Sequence, residues 1–226
     1  MRIEIAGANH AFLTSAFNEL SRLEKIFNFH DPESALSRLN RLILSRAGAS
    51  ARARLQIRYP ELGELLAISE EVADLSRGHF NPHRAGAIDL SGIAKGYIVD
   101  KTVDWILSHA PDSISGCVNA GGDLRFFAHR PREVILRLGT SSKAISRRLK
   151  LCRECVATSA PYAYNDRVYY HGARRAHAAV VQAPSATIAD ALTKVALFAP
   201  REIVQSCCEK LSAVAMLFDE QGELVA

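Results

Sequence analysis

Residues 2–6 read as a short strand, and Phe12, Ala16, Leu20, Leu23 and Phe27 then recur at helical spacing, predicting an amphipathic helix that ends near Asn28. A turn is expected at His30-Asp31-Pro32. Residues 45–54, rich in Ala, Arg, Ser and Gly, show no clear period and read as a loop, whereas 62–76 resume a helical pattern that Gly78 stops. Glycine and proline crowd residues 78–96. A helix through Trp105 follows, then a strand ending at Asn119 and another over 124–128. Further strands are expected over 134–138, 144–151 and 169–181. Ile188, Leu192, Val195 and Ala199 mark another helix, Cys207 and Cys208 lie on a helical stretch, and 213–218, 219–222 and 223–225 read as strand, turn, strand. Strands and helices mix without strict alternation, which predicts an α+β fold, mixed sheets with packed helices, over a doubly wound sheet.

Composition changes this picture little. With 48% apolar and 23% charged residues the chain is an ordinary soluble globular protein, and no apolar run is long enough for a membrane segment. The net charge of +4 is modest and the arginines fall in short groups such as Arg147-Arg148 and Arg174-Arg175, which argues against a nucleic acid partner. The start, MRIEIAGANH, lacks the pattern of a secretion signal, so a cytoplasmic location is expected. Five cysteines, an odd number in a chain too large to need staples, fit reduced thiols. Cys152 and Cys155 form a lone C-x-x-C without the second pair or histidines that zinc requires, and read as small buried hydrophobes.

The chemistry is concentrated in a few segments. In Ile88-Asp89-Leu90-Ser91-Gly92-Ile93-Ala94-Lys95-Gly96-Tyr97 two glycines flank a lysine at a helix start, so backbone can approach a phosphate while Lys95 stays available. Neither G-x-x-x-x-G-K-[ST] nor G-x-G-x-x-G is present, and taken alone the stretch reads first as a plain capped helix, with Asp89 or Ser91 near its N-terminus and an exposed lysine. In Val118-Asn119-Ala120-Gly121-Gly122-Asp123 a strand runs into a double glycine and an acid, suited to a tight turn or a close contact. Ala157-Thr158-Ser159 places two hydroxyls at a strand end. Ile188-Ala189-Asp190-Ala191-Leu192-Thr193-Lys194 puts Asp190, Thr193 and Lys194 on one side of a helix, away from the buried stripe. There an acid and a hydroxyl could offer oxygens to a hard cation, or Asp190 could simply favour a helix's first turn.

Taken in order, these segments resemble the ApbE-like FAD:protein FMN transferases, whose pattern carries a DLGAIAKG-type loop, NAGGDI, ATSG and ADALST over the same distances. Ser34-Ala35-Leu36-Ser37-Arg38-Leu39-Asn40 and Gly78-His79-Phe80-Asn81-Pro82 also look like that family's S-x-L-S-R-x-N and G-x-F-D-P elements. The resemblance implies a single ApbE-like, T-fold-related domain over residues 1–226, in a short form. It also implies the reaction: FAD lies in a cleft with Mg2+ at its pyrophosphate, a Thr or Ser hydroxyl of an acceptor flavoprotein attacks the flavin-side phosphorus, and AMP leaves. Carried over residue by residue, Asp89 and Lys95 contact FAD, and His79, Phe80 and Asn81 line its site. Gly92, through its carbonyl, and Asp190 hold Mg2+, with Thr193 as a further candidate ligand. His171 is the candidate base beside Asp190, and His177 fits that position almost as well.

Two departures qualify this transfer. The family's H-x-x-D-P-R-T-G segment is absent, its place taken by Tyr169-Tyr170-His171-Gly172-Ala173-Arg174-Arg175-Ala176-His177. Four residues beyond Asp190, where the family has a threonine ligand, stands Lys194. A lysine there could replace a metal ion's charge, or Thr193 could reach a shifted ion. Three activities therefore stay open: flavin transfer, Mg2+-dependent FAD pyrophosphatase chemistry with water as nucleophile, and flavin binding without turnover.

Overall fold

The structure is a computed structural model that describes residues 1–46, 48–84, 86–110, 114–138, 145–160 and 174–225. Strand β1 (Arg2–Ala6) leads into helix α1 (His10–Phe27), capped by Asn9, whose side chain accepts the Phe12 N–H. Helices α2 (Ala35–Leu44), α3 (Ala49–Arg58) and α4 (Pro60–Leu75) follow. Residues 49–54 are therefore helical where a loop was expected. Nothing in α3 is buried, so it has no apolar period to read, but Ala and Arg are strong helix formers. Helix α4 ends as expected: Gly78 has φ +78° and returns its N–H to the Ala73 carbonyl at 2.8 Å.

The two-residue strands β2 (His83–Arg84) and β3 (Ala87–Ile88) pair with each other and deliver the chain to α5 (Ala94–His109). Strands β4 (Ser115–Asn119) and β5 (Leu124–Phe127), the hairpin β6 (Glu133–Leu138) and β7 (Ile145–Lys150), and strands β8 (Cys155–Ser159) and β9 (Ala178–Ala183) come next. Helices α6 (Ala186–Phe198) and α7 (Arg201–Lys210) and strand β10 (Val214–Phe218) complete the order. The expected last strand is no more than an isolated bridge from Leu224 to Phe218. The expected strand over 169–181 begins, among the described residues, only at Ala178.

One antiparallel sheet of six strands, in the order β1-β4-β5-β8-β9-β10, organises the molecule. Side chains alternate across it. Cys155 and Ala157 of β8 with Val181 and Ala183 of β9 join the main core beneath the helices, which includes Leu20, Leu65, Ile98 and Leu192. Val156, Ala178 and Val180 point the other way, to a second core closed by Leu136, Leu138 and Leu149 of the β6–β7 hairpin. The sheet is thus covered on both faces, and all six residues of β9 are buried. This is the α+β architecture that the sequence predicted. Among the described residues, no helix is long and apolar enough to cross a membrane.

Candidate active site

Helices α5 and α6 meet at their N-terminal ends. A Cβ on Gly96 would lie 2.2 Å from the Ala186 carbonyl oxygen, so only glycine permits the two backbones to approach this closely. The carboxylate of Asp100, on α5, accepts the N–H groups of Ala186 at 3.1 Å and Thr187 at 2.8 Å, together with the hydroxyls of Ser185 at 2.8 Å and Thr187 at 2.6 Å. It thereby caps α6 from outside that helix. In the opposite direction, Asp190 on α6 accepts the Gly96 N–H at 3.2 Å with Oδ2. The α5 start has no capping side chain of its own: Asp89 instead accepts the Ser91 N–H at 2.9 Å within the preceding turn. Asp190 lies beyond the first turn of its own helix and serves the first turn of its neighbour.

The β4–β5 turn brings in another carboxylate. Gly121 at φ +70° and Gly122 at φ +110° occupy a region that disfavours side chains, and the turn closes with the Asn119 side chain accepting the Gly122 N–H at 3.0 Å. It delivers Asp123, completely buried, against Lys95: Nζ donates to Oδ2 at 2.5 Å. Lys95 Nζ also lies 3.9 Å from Asp190 Oδ1, and the Lys194 ammonium donates to that same oxygen and, at 2.9 Å, to the Asp190 main-chain carbonyl. Two carboxylates and two ammonium groups thus share one buried site. Lys95, with 32% of its side chain exposed, is the member that reaches solvent. Burial foremost, then the Asp190 charge, pushes the Asp123 carboxyl up to about 6, against the opposing pull of Lys95 and Lys194. Asp123 Oδ1 has no hydrogen-bond partner among the described residues.

On the far side of the same turn, a cavity of about 350 Å³ opens between the sheet and the β6–β7 hairpin. Its lining includes Asn119, Gly122, Leu124, Phe126, Leu136 and Thr158. Apolar and polar groups share its walls, Arg137 and Thr158 among the polar ones, and the Gly121–Gly122 turn that delivers Asp123 forms part of the lining.

His79, Phe80 and Asn81, expected to line the flavin site, and Asp89, expected to contact FAD, lie on the approach to α5. Asn40 pins it, its amide exchanging two bonds of 2.8 Å with the backbone of Ile88, just before Asp89. Asp89 Oδ2 stands 4.0 Å from Arg84, and Asn81 accepts the His83 N–H at 2.8 Å. His79 is half-buried. Phe80, at 2% exposure, packs in the main core. His171 lies outside the described residues. His177 sits at the foot of β9 with Nδ1 3.9 Å from Glu220, in the turn after β10.

Asp190, Gly92 and Thr193 were the expected Mg2+ donors, and the arrangement at Asp190 and Thr193 does not fit that ion. Mg2+ demands a near-octahedral set of oxygens. Here Asp190 Oδ1 holds an ammonium, Oδ2 holds a backbone N–H, and the Thr193 hydroxyl donates to the Asp190 carbonyl at 2.7 Å. A cation on the same carboxylate would meet the Lys194 charge with a repulsion of about 4 kcal/mol per unit charge at a separation of about 4 Å. Among the described residues, no three His, Cys, Asp or Glu side chains gather as a metal site. Asp190, Thr193 and Lys194 are all buried, whereas the sequence placed them away from the buried stripe. The sequence reading also passed over Asp100 and Asp123. Asp123 reads there as a turn residue, and Asp100 as an ordinary helix acid, because their partners are distant in sequence.

Comparison with known proteins complements this geometry. A model of the ApbE family matches residues 82–218, the stretch that contains Lys95, Asp100, Asp123, Asp190 and Lys194. Among solved structures, the flavin transferase ApbE from Vibrio cholerae superposes with a TM-score of 0.68 at 14% identity, covering 97% of this chain and 87% of the other. The apo form of the Pseudomonas stutzeri flavinyl transferase ApbE gives 0.66 at 16% identity, covering 98% and 93%. The ApbE protein from Thermotoga maritima gives 0.60 at 22% identity, covering 99% and 92%. At these identities the likeness is one of fold. No curated protein sequence matches the chain.

Proposed function

The chain belongs to the ApbE family, and from that premise we propose that it is a flavin transferase, moving FMN from FAD to a Thr or Ser hydroxyl of a partner protein. The observation that carries this reading is the position of Lys95, a partly exposed ammonium over buried carboxylates, beside a turn that also walls a cavity of about 350 Å³. Lys95 engages the diphosphate of FAD, and the cavity takes one of its ring systems. Asp89, His79 and Asn81 border the site along the approach to α5, with Phe80 supporting that wall from the core.

In the reaction the acceptor oxygen bonds to the flavin-side phosphorus as the anhydride P–O bond breaks. AMP leaves with the bridging oxygen, FMN remains in phosphoester linkage, and the hydroxyl proton passes to the imidazole of His171. Such a transfer asks the protein mainly for positioning and charge stabilisation. Asp190 acts by position: it fixes the start of α5, and with it Lys95, relative to α6.

The test is to incubate the purified protein with FAD and a soluble protein extract. A protein band that stays fluorescent after denaturation, with AMP released in equal amount and both lost in Lys95→Ala, is the expected result. AMP and FMN formed without any acceptor would replace transfer by hydrolysis, and failure to bind FAD would overturn the reading altogether.

A further inference from the structure

We propose that Lys194 is the resident cation of this site, its ammonium taking the charge-neutralising place beside Asp190 that a divalent ion would otherwise hold, so that the chain binds FAD without a divalent metal. The proposal deepens the flavin-transfer reading and rests on it for the identity of the ligand. It starts from the occupancy of Asp190. Oδ1 receives the Lys194 ammonium, Oδ2 receives the Gly96 N–H, and the main-chain carbonyl receives both Lys194 Nζ at 2.9 Å and the Thr193 hydroxyl at 2.7 Å. Each oxygen that Asp190 would offer a metal is engaged by a donor from the protein itself.

The charge balance points the same way. Asp123 and Asp190 are both fully buried, and a buried carboxylate persists in its charged form only with a partner at hand. Lys95 pairs with Asp123 at 2.5 Å and Lys194 pairs with Asp190. Lys194 is itself buried, at 6% exposure, a condition rare for lysine unless it is paired. Were Lys194 neutral, the cluster would hold two buried carboxylates against one ammonium, and the next anion to arrive, a diphosphate, would be repelled. With Lys194 in place Asp190 is matched internally, and the partly exposed Lys95 can offer a further N–H to the diphosphate while it holds Asp123. Lys194 is therefore a positioning and charge-balancing residue, fixed by its spacing of one helical turn from Asp190.

The experiment separates metal binding from flavin binding. Mn2+, a spectroscopic probe for a divalent site, is titrated into the flavin-free protein by electron paramagnetic resonance, in wild type, Lys194→Thr and Lys194→Met. FAD affinity of the wild type is measured in parallel with EDTA and with Mg2+. The proposal expects Mn2+ to bind the variants tighter than wild type by about tenfold or more, because an ammonium no longer repels it. It also expects wild-type FAD affinity to be the same with EDTA as with Mg2+. Wild type binding Mn2+ as tightly as the variants, or wild type needing Mg2+ to bind FAD, would overturn it. If the variants do not fold, the wild-type titrations decide alone: tight Mn2+ binding counts against the proposal, and FAD binding in EDTA without Mn2+ binding supports it. Failure to bind FAD in either medium would sink the flavin-transfer reading, while the Mn2+ titration would still judge Lys194.

Discussion

Asp100 and Asp190 cap each other's helices: the carboxylate on α5 takes the first N–H groups of α6, and the carboxylate on α6 takes the Gly96 N–H of α5. Helix starts leave unsatisfied N–H groups with partial positive charge, so each acid answers a local need of the other helix. Because both caps span the same contact, the two helices are fixed in register as well as in angle. The ammonium groups of Lys95 and Lys194 inherit that register.

Gly96→Ala tests the contact. Alanine favours a helix interior over glycine by about 1 kcal/mol. Here its Cβ would meet main-chain atoms of Ala186 and Thr187, the nearest at 2.2 Å, which cannot yield unless α6 moves. Overpacking of this kind costs about 1–3 kcal/mol, so a net loss of stability is expected in urea unfolding, with weaker FAD binding. A variant as stable as wild type would mean that the helices are not held this tightly.

Asp100→Asn tests the cap. The amide keeps the shape but turns an NH2 group toward donors that Asp100 now accepts, and it weakens the 3.2 Å pairing with Arg125. Losing the charge at this buried site should cost about 3–5 kcal/mol. Denaturant titration showing a loss below about 1 kcal/mol would show the cap to be dispensable.

Asp123 gives a pH signature. Its carboxyl is pushed up from 3.8 to about 6, chiefly by burial, so the folded state holds the proton more tightly than the unfolded chain. The sign follows from linkage: this group's contribution to stability is fully present below its unfolded value, near pH 4, and is lost as pH rises through about 6. Asp123→Asn removes the titration. The stability of wild type relative to this variant should therefore fall between pH 4 and 6 and level off above, a trend that unfolding curves at several pH values will show. A rise over that interval would contradict the burial argument.

The cysteines divide by exposure. All five are free; Cys152 is exposed, while Cys155 is buried, and burial pushes its thiol well above the ordinary range. Under native conditions a maleimide should label Cys152 and spare Cys155, as mass spectrometry of the digested protein can determine. Equal labelling of both would be incompatible with the packing of β8.

Much of this architecture was legible in the chain. Periodicity found α1 and α4 through the stripe each buries, and α5 and α6 through their recurring apolar residues although α6 is buried on nearly every side, and the glycine pair before Asp123 announced its turn. Helix α2 was passed over as a helix, although its Asn40 belongs to a segment the sequence singled out. Helix α3 escaped because helical propensity without an apolar face leaves no period. Lys95 and Asp190 were singled out in the sequence. Their electrostatic setting was not, because it depends on pairings such as Gly96 with Asp190, 94 residues apart. Lys194 was noted as standing where a ligand was expected, but only the fold shows its ammonium bound to Asp190 and the Thr193 hydroxyl turned back on the helix.

Helix α3 buries no residue fully and meets the main core through the partly buried Leu55, and the turn before it has a practical use. A peptide tag or surface-immobilisation linker spliced between Ser45 and Arg46, both exposed, would sit in that turn and outside the helices. The protein could then be tethered on a sensor chip with its termini untouched, and candidate acceptor proteins passed over it one by one.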